Sequence, residues 1–135
     1  MREILFRAKT ARDSEWIYGD LLHDGYDYDV AIWEEKTKLV TEIQPQTVGQ
    51  YTGLTDKKGK KIFEGDVLKD SDIVVGGEVQ IKGQVFEVAM RKGVWCVQEK
   101  DDWDFLNTYA QRCEVIGNIH DNPELLGGAD NGKAV

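Results

Sequence analysis

The feature that most restricts the fold is the tight spacing of turn signals from Gly65 onward. The strand-forming runs "GDVLKD", "DIVV", "EVQI", "QVFEVAM" and "VWCVQE" are short, and Gly76–Gly77, Lys82–Gly83 and Lys92–Gly93 separate the later ones. Glycine reaches positive φ without a Cβ penalty, so these pairs favour tight hairpins and set the register of the strands they join. Strands of this kind form an antiparallel meander. Curling the meander into a small barrel removes the open edges that a flat sheet presents to other chains. In "QVFEVAM", Phe86, Val88 and Met90 share one face and Val85, Glu87 and Ala89 the other, which predicts the first set inward.

The residues before Gly65 add further strands. "REILFRA" alternates Ile4 and Phe6 against Glu3, Leu5 and Arg7, and "EWIYGDLL", "DVAIWEE" and "KLVTEI" follow with strand-type composition. Two short helices are expected within this β background. In "DDWDFLNTYAQRC", Leu106, Tyr109, Ala110 and Cys113 have i, i+3, i+4, i+7 spacing, with Asp101 or Asp102 as cap. In "DNPELLGG", Asn122 suits an N-cap, Pro123 a first helical position, and Gly127 or Gly128 a stop.

A chain of 135 residues with 41% hydrophobic and 31% charged residues has enough apolar material for a real core. The opening "MREILFRAKTARDSEW" lacks an apolar signal-peptide core, and no apolar run approaches the roughly 20 residues that span a bilayer. A cytoplasmic protein without a membrane role is expected. Cys96 and Cys113 have no zinc-type spacing and lie among strand-type apolar residues, so they are expected as buried free thiols.

The net charge of −8 opposes a general role in gripping nucleic acid, which relies on clustered Lys and Arg. The sign is uneven along the chain. Residues 1–55 carry six basic and ten acidic groups, residues 56–98 eight and seven, and residues 99–135 three and eight. The middle is therefore slightly positive between acidic flanks, and "TDKKGKKI" makes Lys57, Lys58 and Lys60 candidates for a partner contact. Trp103 and Phe105, set in the acidic "KDDWDFL", are the second candidates, because exposed aromatic side chains anchor interfaces.

Catalytic and cofactor motifs are weak. "GLTDKKGKK" places five residues between Gly53 and Gly59 rather than four, has no Ser or Thr after the lysine, and leads into a strand, so it is no phosphate loop. Aspartates cluster in "GDLLHDGYDYD" and again at the start of the glycine-punctuated region. Asp24, Asp27, Asp66, Asp70 and Asp72 are weak candidates for a divalent cation, since such sites gather carboxylate oxygens. Turn-forming side chains that bond their own backbone are the competing explanation. No catalytic constellation is recognisable, and no cofactor is expected.

The segment "TVGQYTGLTDKKGKKIFEGDVL", Thr47 to Leu68, closely resembles the signature of the YopX family, small proteins found mainly in phages and prophages. The ending "CEVIGNIHDNPELL", Cys113 to Leu126, resembles that family's C-terminus, and "MREILFRA" resembles its first strand. The resemblance implies an SH3-type C-terminal barrel and self-association into larger assemblies, with no established catalytic residues to carry over. The expected architecture is thus mainly β: a strand-rich N-terminal portion, residues 1–55, packed on an SH3-type small β-barrel, residues 56–126, with one or two short helices and a flexible tail, residues 127–135. The expected function is that of a non-enzymatic phage or prophage accessory protein, a homo-oligomer that binds a host or phage protein. Two alternatives remain open: a nucleic-acid-linked small barrel using Lys57, Lys58, Lys60, Lys61, Lys82, Arg91 and Lys92, and a carboxylate-dependent metal hydrolase.

Overall fold

The computed structural model describes residues 3–23 and 29–126. The chain is mainly β and divides into two compact units, Met1–Gly53 and Leu54–Val135.

In the first unit, β1 (Phe6–Lys9), β2 (Trp16–His23), β3 (Val30–Glu34) and β4 (Leu39–Glu42) follow one another as antiparallel neighbours, and β5 (Gly49–Thr55) returns to pair with the free side of β1. The register places Phe6 opposite both Gly19 and Gln50. Thr10 bridges Ile43, and Gln44 N–H donates to the Lys9 carbonyl at 2.8 Å, so the chain after β4 comes back beside the end of β1. Ala8, Ile32 and Ile43 form the buried centre, with Phe6, Ile17, Leu21, Val30 and Val48 packed around them. The alternation of Ile4 and Phe6 against Glu3, Leu5 and Arg7 holds only in part. Phe6 joins the core, but Ile4 precedes β1 and is 65% exposed. Arg7 is buried instead, its guanidinium 4.7 Å from the Trp16 ring centre. A cation laid on an indole face hides its apolar stem and keeps an electrostatic partner.

The second unit takes in the end of β5, then β6 (Lys61–Phe63), β7 (Asp66–Asp70), β8 (Ile73–Val75), β9 (Glu78–Ile81), β10 (Val85–Arg91), β11 (Val94–Glu99), β12 (Asp102–Phe105), the one-turn α1 (Leu106–Tyr109), a 3₁₀ turn Ala110–Arg112, β13 (Cys113–Asn118) and a 3₁₀ turn Pro123–Leu125. Its main sheet has the order β12-β11-β10-β7-β13, antiparallel throughout. Leu68 lies opposite Phe86 on one side and Val115 on the other, at the centre of a core that also holds Ile62, Val88, Val97, Leu106, Ala110 and Cys113. Among the described residues none of the sheets closes on itself, and β12 and β13 are the outer strands of this one.

The meander expected from the glycine spacing is broken at one place. β10 pairs directly with β7, while β8 and β9 form a separate two-stranded sheet. Lys82–Gly83 is therefore no hairpin turn but one side of a neck. Asp72 Oδ1 accepts Gly83 N–H and Lys69 Nζ, both at 2.7 Å, and Asp70 N–H donates to the Gln84 carbonyl at 2.9 Å. A Cβ on Gly83 would sit 1.8 Å from the Asp70 carbonyl oxygen, so only glycine fits where the neck closes. Of the predicted inward set, Phe86 and Val88 are buried and Met90 is 42% exposed.

The helix predictions shift by a few residues. Leu106, Ala110 and Cys113 are buried as their spacing requires, but helical turns begin only at Leu106. The preceding residues, including Asp102, Trp103 and Phe105, are the edge strand β12, so Asp101 and Asp102 cap nothing. Pairing with β11 outweighs the helical pattern there. Pro123 opens its 3₁₀ turn as predicted, whereas the Asn122 side chain caps nothing and accepts from Asn118 N–H at 3.3 Å. The expected stop at Gly127 or Gly128 lies outside the described residues.

Candidate functional site

The lysine-rich turn is built around a buried carboxylate. Asp56 accepts Lys58 N–H and Lys60 N–H on Oδ1 and Val115 N–H on Oδ2, all at 2.9 Å, and is 2% exposed. Gly59 takes φ +84° at the corner. Burial pushes the Asp56 carboxyl up, but the three N–H donors outweigh burial and hold it below its usual value of 3.8. The lysines around it are partly committed. Lys58 pairs with Glu114 at 3.0 Å, and Lys57 Nζ lies 3.4 Å from Ser71 Oγ. The sequence reads this stretch as a candidate contact, and the fold uses its charge first to fasten a turn onto β13.

The candidate metal carboxylates are likewise engaged one by one. Asp66 is buried and accepts Phe63 N–H at 2.7 Å. Asp70 accepts Ser71 N–H and the Arg112 guanidinium, at 2.7, 3.1 and 2.9 Å. Asp72, whose carboxyl is held low by Lys69 and Gly83 N–H, closes the neck below β8–β9. Among the described residues no group of three or more His, Cys, Asp or Glu is arranged to hold a metal ion. Asp24 and Asp27 lie outside the described residues. Cys96 and Cys113 are free and buried, and burial together with Asp70 pushes the Cys113 thiol up to about 11.

The other predicted contact residues are placed as a surface. Trp103 and Phe105 lie on the same side of β12, 45% and 47% exposed, with ring centres 5.6 Å apart in an edge-to-face arrangement. The Arg91 guanidinium stands 5.3 Å from the Trp103 ring centre. Alternation along the strand sends Asp102 and Asp104 the other way, and together with Trp103 they line a pocket of about 290 Å³ that Phe86, Glu99 and Tyr109 also line. Tyr109 Oη donates to Asp104 at 3.3 Å, while Gln84 bonds Glu99 at 3.2 Å. Rings and carboxylates so mixed suit a contact surface that carries apolar and basic groups.

A second apolar surface escaped the sequence reading. Ile73, Val74, Val75, Val79 and Ile81 of the β8–β9 hairpin are all exposed. The signal was present in "DIVV", whose three successive apolar residues leave a strand no polar face.

These features define a mainly β protein whose polar clusters fasten turns and whose open edges carry exposed apolar side chains. The family model described as YopX protein matches residues 5–127, and the chain belongs to the YopX family. A search of curated proteins finds no match. Among solved structures, the chain is similar to the crystal structure of protein EF1440 from Enterococcus faecalis, with 27% identity and a TM-score of 0.63, over 93% of this chain and 99% of that one. Among the described residues no helix is long and apolar enough to cross a membrane.

Proposed function

We propose that the protein is a non-enzymatic phage or prophage accessory module that self-associates and binds a host or phage protein in the host cytoplasm, without a cofactor. The observation that carries this reading is the Trp103–Phe105 pair, half exposed on the open edge strand β12. Aromatic side chains on an unpaired edge combine hot-spot anchors with free backbone donors and acceptors. The engagement of Asp56, Asp66, Asp70 and Asp72 with cations and backbone N–H groups supports a structural use of the acidic clusters over hydrolysis.

The second unit is best read as an SH3-type module. Its order β12-β11-β10-β7-β13, with a 3₁₀ turn before a last strand that returns to pair with the first, supports that reading.

Affinity capture from bacterial lysate with wild type and with Trp103→Ala/Phe105→Ala tests the binding half, and light scattering tests the self-association half. The expected result is a retained fold, loss of a specific captured protein in the variant, and a wild-type mass that is a multiple of 15.3 kDa. Identical captures together with a strictly monomeric wild type would overturn the reading.

A further inference from the structure

The pocket beside β12 carries charge of one sign over an apolar floor. Phe86 and Val97, 7% and 1% exposed, are its buried lining. Glu99, Asp102 and Asp104 stand exposed around them, and among the described residues no lysine or arginine lines the pocket. The rings of Trp103 and Tyr109 complete the wall, Tyr109 lying edge-to-face with Phe86 at 5.2 Å between ring centres.

Two of the carboxylates oppose each other. Glu99 and Asp102 are paired directly across the β11–β12 ladder, so their side chains leave the sheet on the same side. Like charges in that position destabilise a strand pair. Gln84 Nε2 reaches Glu99 at 3.2 Å, but a neutral amide cancels no charge. Asp102 takes no hydrogen bond or ion pair among the described residues. Asp104, two residues on and facing the same way, lies opposite Val97 and accepts from Tyr109 Oη. That phenol is raised above its usual value of 10.0, first by burial and then by the Asp104 carboxylate. The pocket thus holds a repulsion that its own lining leaves uncancelled.

The arrangement also selects the kind of cation. No three carboxylates among the described residues are placed to hold a metal ion, so the acids suit a broader charge than a point. A guanidinium is flat, stacks on aromatic faces and offers five N–H donors to carboxylate oxygens, whereas an ammonium is compact and more strongly hydrated. The chain makes this combination itself beside the pocket. The Arg112 guanidinium lies 4.5 Å from the Tyr109 ring centre and 2.9 Å from Asp70. A volume of about 290 Å³ falls at the small end of ligand sites, which run from roughly 300 to 1,000 Å³, and so fits one side chain better than a larger molecule.

We propose that this pocket receives an arginine side chain of the bound partner, its guanidinium among the Glu99, Asp102 and Asp104 carboxylates and its stem on Phe86 and Tyr109. This deepens the binding half of the function proposed above and rests on it. Trp103 belongs both to the exposed ring pair and to the pocket lining, so one partner segment reaches both.

The test is an NMR titration of the full chain with acetyl-arginine amide, using acetyl-lysine amide and acetyl-citrulline amide as controls. Citrulline keeps the shape of arginine without its charge. The arginine probe should give saturable shifts at the Trp103 indole N–H and at the amides of β11 and β12, with a dissociation constant on the order of 1 mM, the scale of so small a ligand. The lysine probe should bind at least about threefold more weakly and the citrulline probe at least about tenfold.

Asp102→Asn should weaken arginine binding about threefold or more and raise the melting temperature by about 1–3 °C, because it removes one of two opposed charges. Glu99→Gln should do the same, and Asp102→Lys should abolish binding. No saturable shift from the arginine probe up to about 20 mM, equal binding of the citrulline probe, or undiminished binding in Asp102→Lys overturns the inference while the partner-binding reading stands. A melting temperature that falls in both Asp102→Asn and Glu99→Gln assigns the carboxylates to the fold and overturns it too. The wider reading fails on its own result, identical captures by wild type and Trp103→Ala/Phe105→Ala with a monomeric wild type.

Discussion

The Asp56–Gly59 turn and the Gly76–Gly77 turn lie in the same unit, and both reach positive φ through glycine, yet only the first is tied down. The Asp56 carboxylate gathers N–H donors from Lys58, Lys60 and, across the fold, Val115, and Lys57 N–H donates to the Cys113 carbonyl at 3.0 Å. The second turn carries five exposed Ile and Val residues on its flanking strands and, among the described residues, is fixed at the neck. Charge density in the sequence thus marks the fastened turn, and apolar density marks a surface left exposed. A buried carboxylate with three donors is internally satisfied, whereas the hairpin's apolar side chains stay exposed among the described residues.

The largest effect should come from breaking the fastened turn. Asp56→Ala leaves three N–H groups without their acceptor, one of them buried on β13, and should cost about 3–5 kcal/mol in denaturant unfolding. Asp56→Asn keeps one carbonyl oxygen and should cost less. It should also flatten the acid limb of the stability profile. Asp56 is held below its unfolded value of 3.8, so its contribution is present above that pH and disappears as pH falls through the folded value. A loss under about 1 kcal/mol for Asp56→Ala would mean that the two turns do not differ in kind.

A second, smaller effect probes the strand to which that turn is fastened. The Cys113 thiol is raised from 9.0 to about 11, chiefly by burial and next by Asp70. A raised acid favours the fold fully below the unfolded value and loses that contribution as pH rises through the folded one. Stability should therefore decline between pH 9 and 11 by roughly 2 kcal/mol, and Cys113→Ala should remove that part of the decline. Alkylation of Cys113 in the native protein at neutral pH should be slow for the same reason.

Much of this was legible in the sequence where one local cause decided the outcome. Gly76, Gly77 and Gly93 take the positive φ expected of the glycine turns, and Phe86 and Val88 are buried as their alternation predicts. Leu106, Ala110 and Cys113 turn inward as their spacing requires. Legibility failed where pairing partners decided. Nothing in the sequence signals that β7 would choose β10 over β8, because that choice rests on Asp72 reaching Gly83 across the neck. Trp103 and Phe105 stand out in the sequence as contact residues, but a helical pattern running through them conceals an edge strand. The hairpin surface escapes notice because runs of Ile and Val read as core, and only the structure shows them exposed among the described residues.

The smallest effect is the most discriminating. Val75 is 62% exposed on the face it shares with Glu78, so Val75→Thr keeps strand propensity and removes only surface that water already reaches. Measured at low protein concentration, it should change unfolding free energy by less than about 0.5 kcal/mol. Amide exchange should agree, with the amides of β8 and β9 exchanging well before those of β7 and β13, since a lone hairpin opens without disturbing the core. A penalty above about 1.5 kcal/mol would mean that Val75 is already packed within one chain. In that case the apolar density of "DIVV" would belong to the fold, as the charge of "DKKGKK" does, and the contrast between the two turns would vanish.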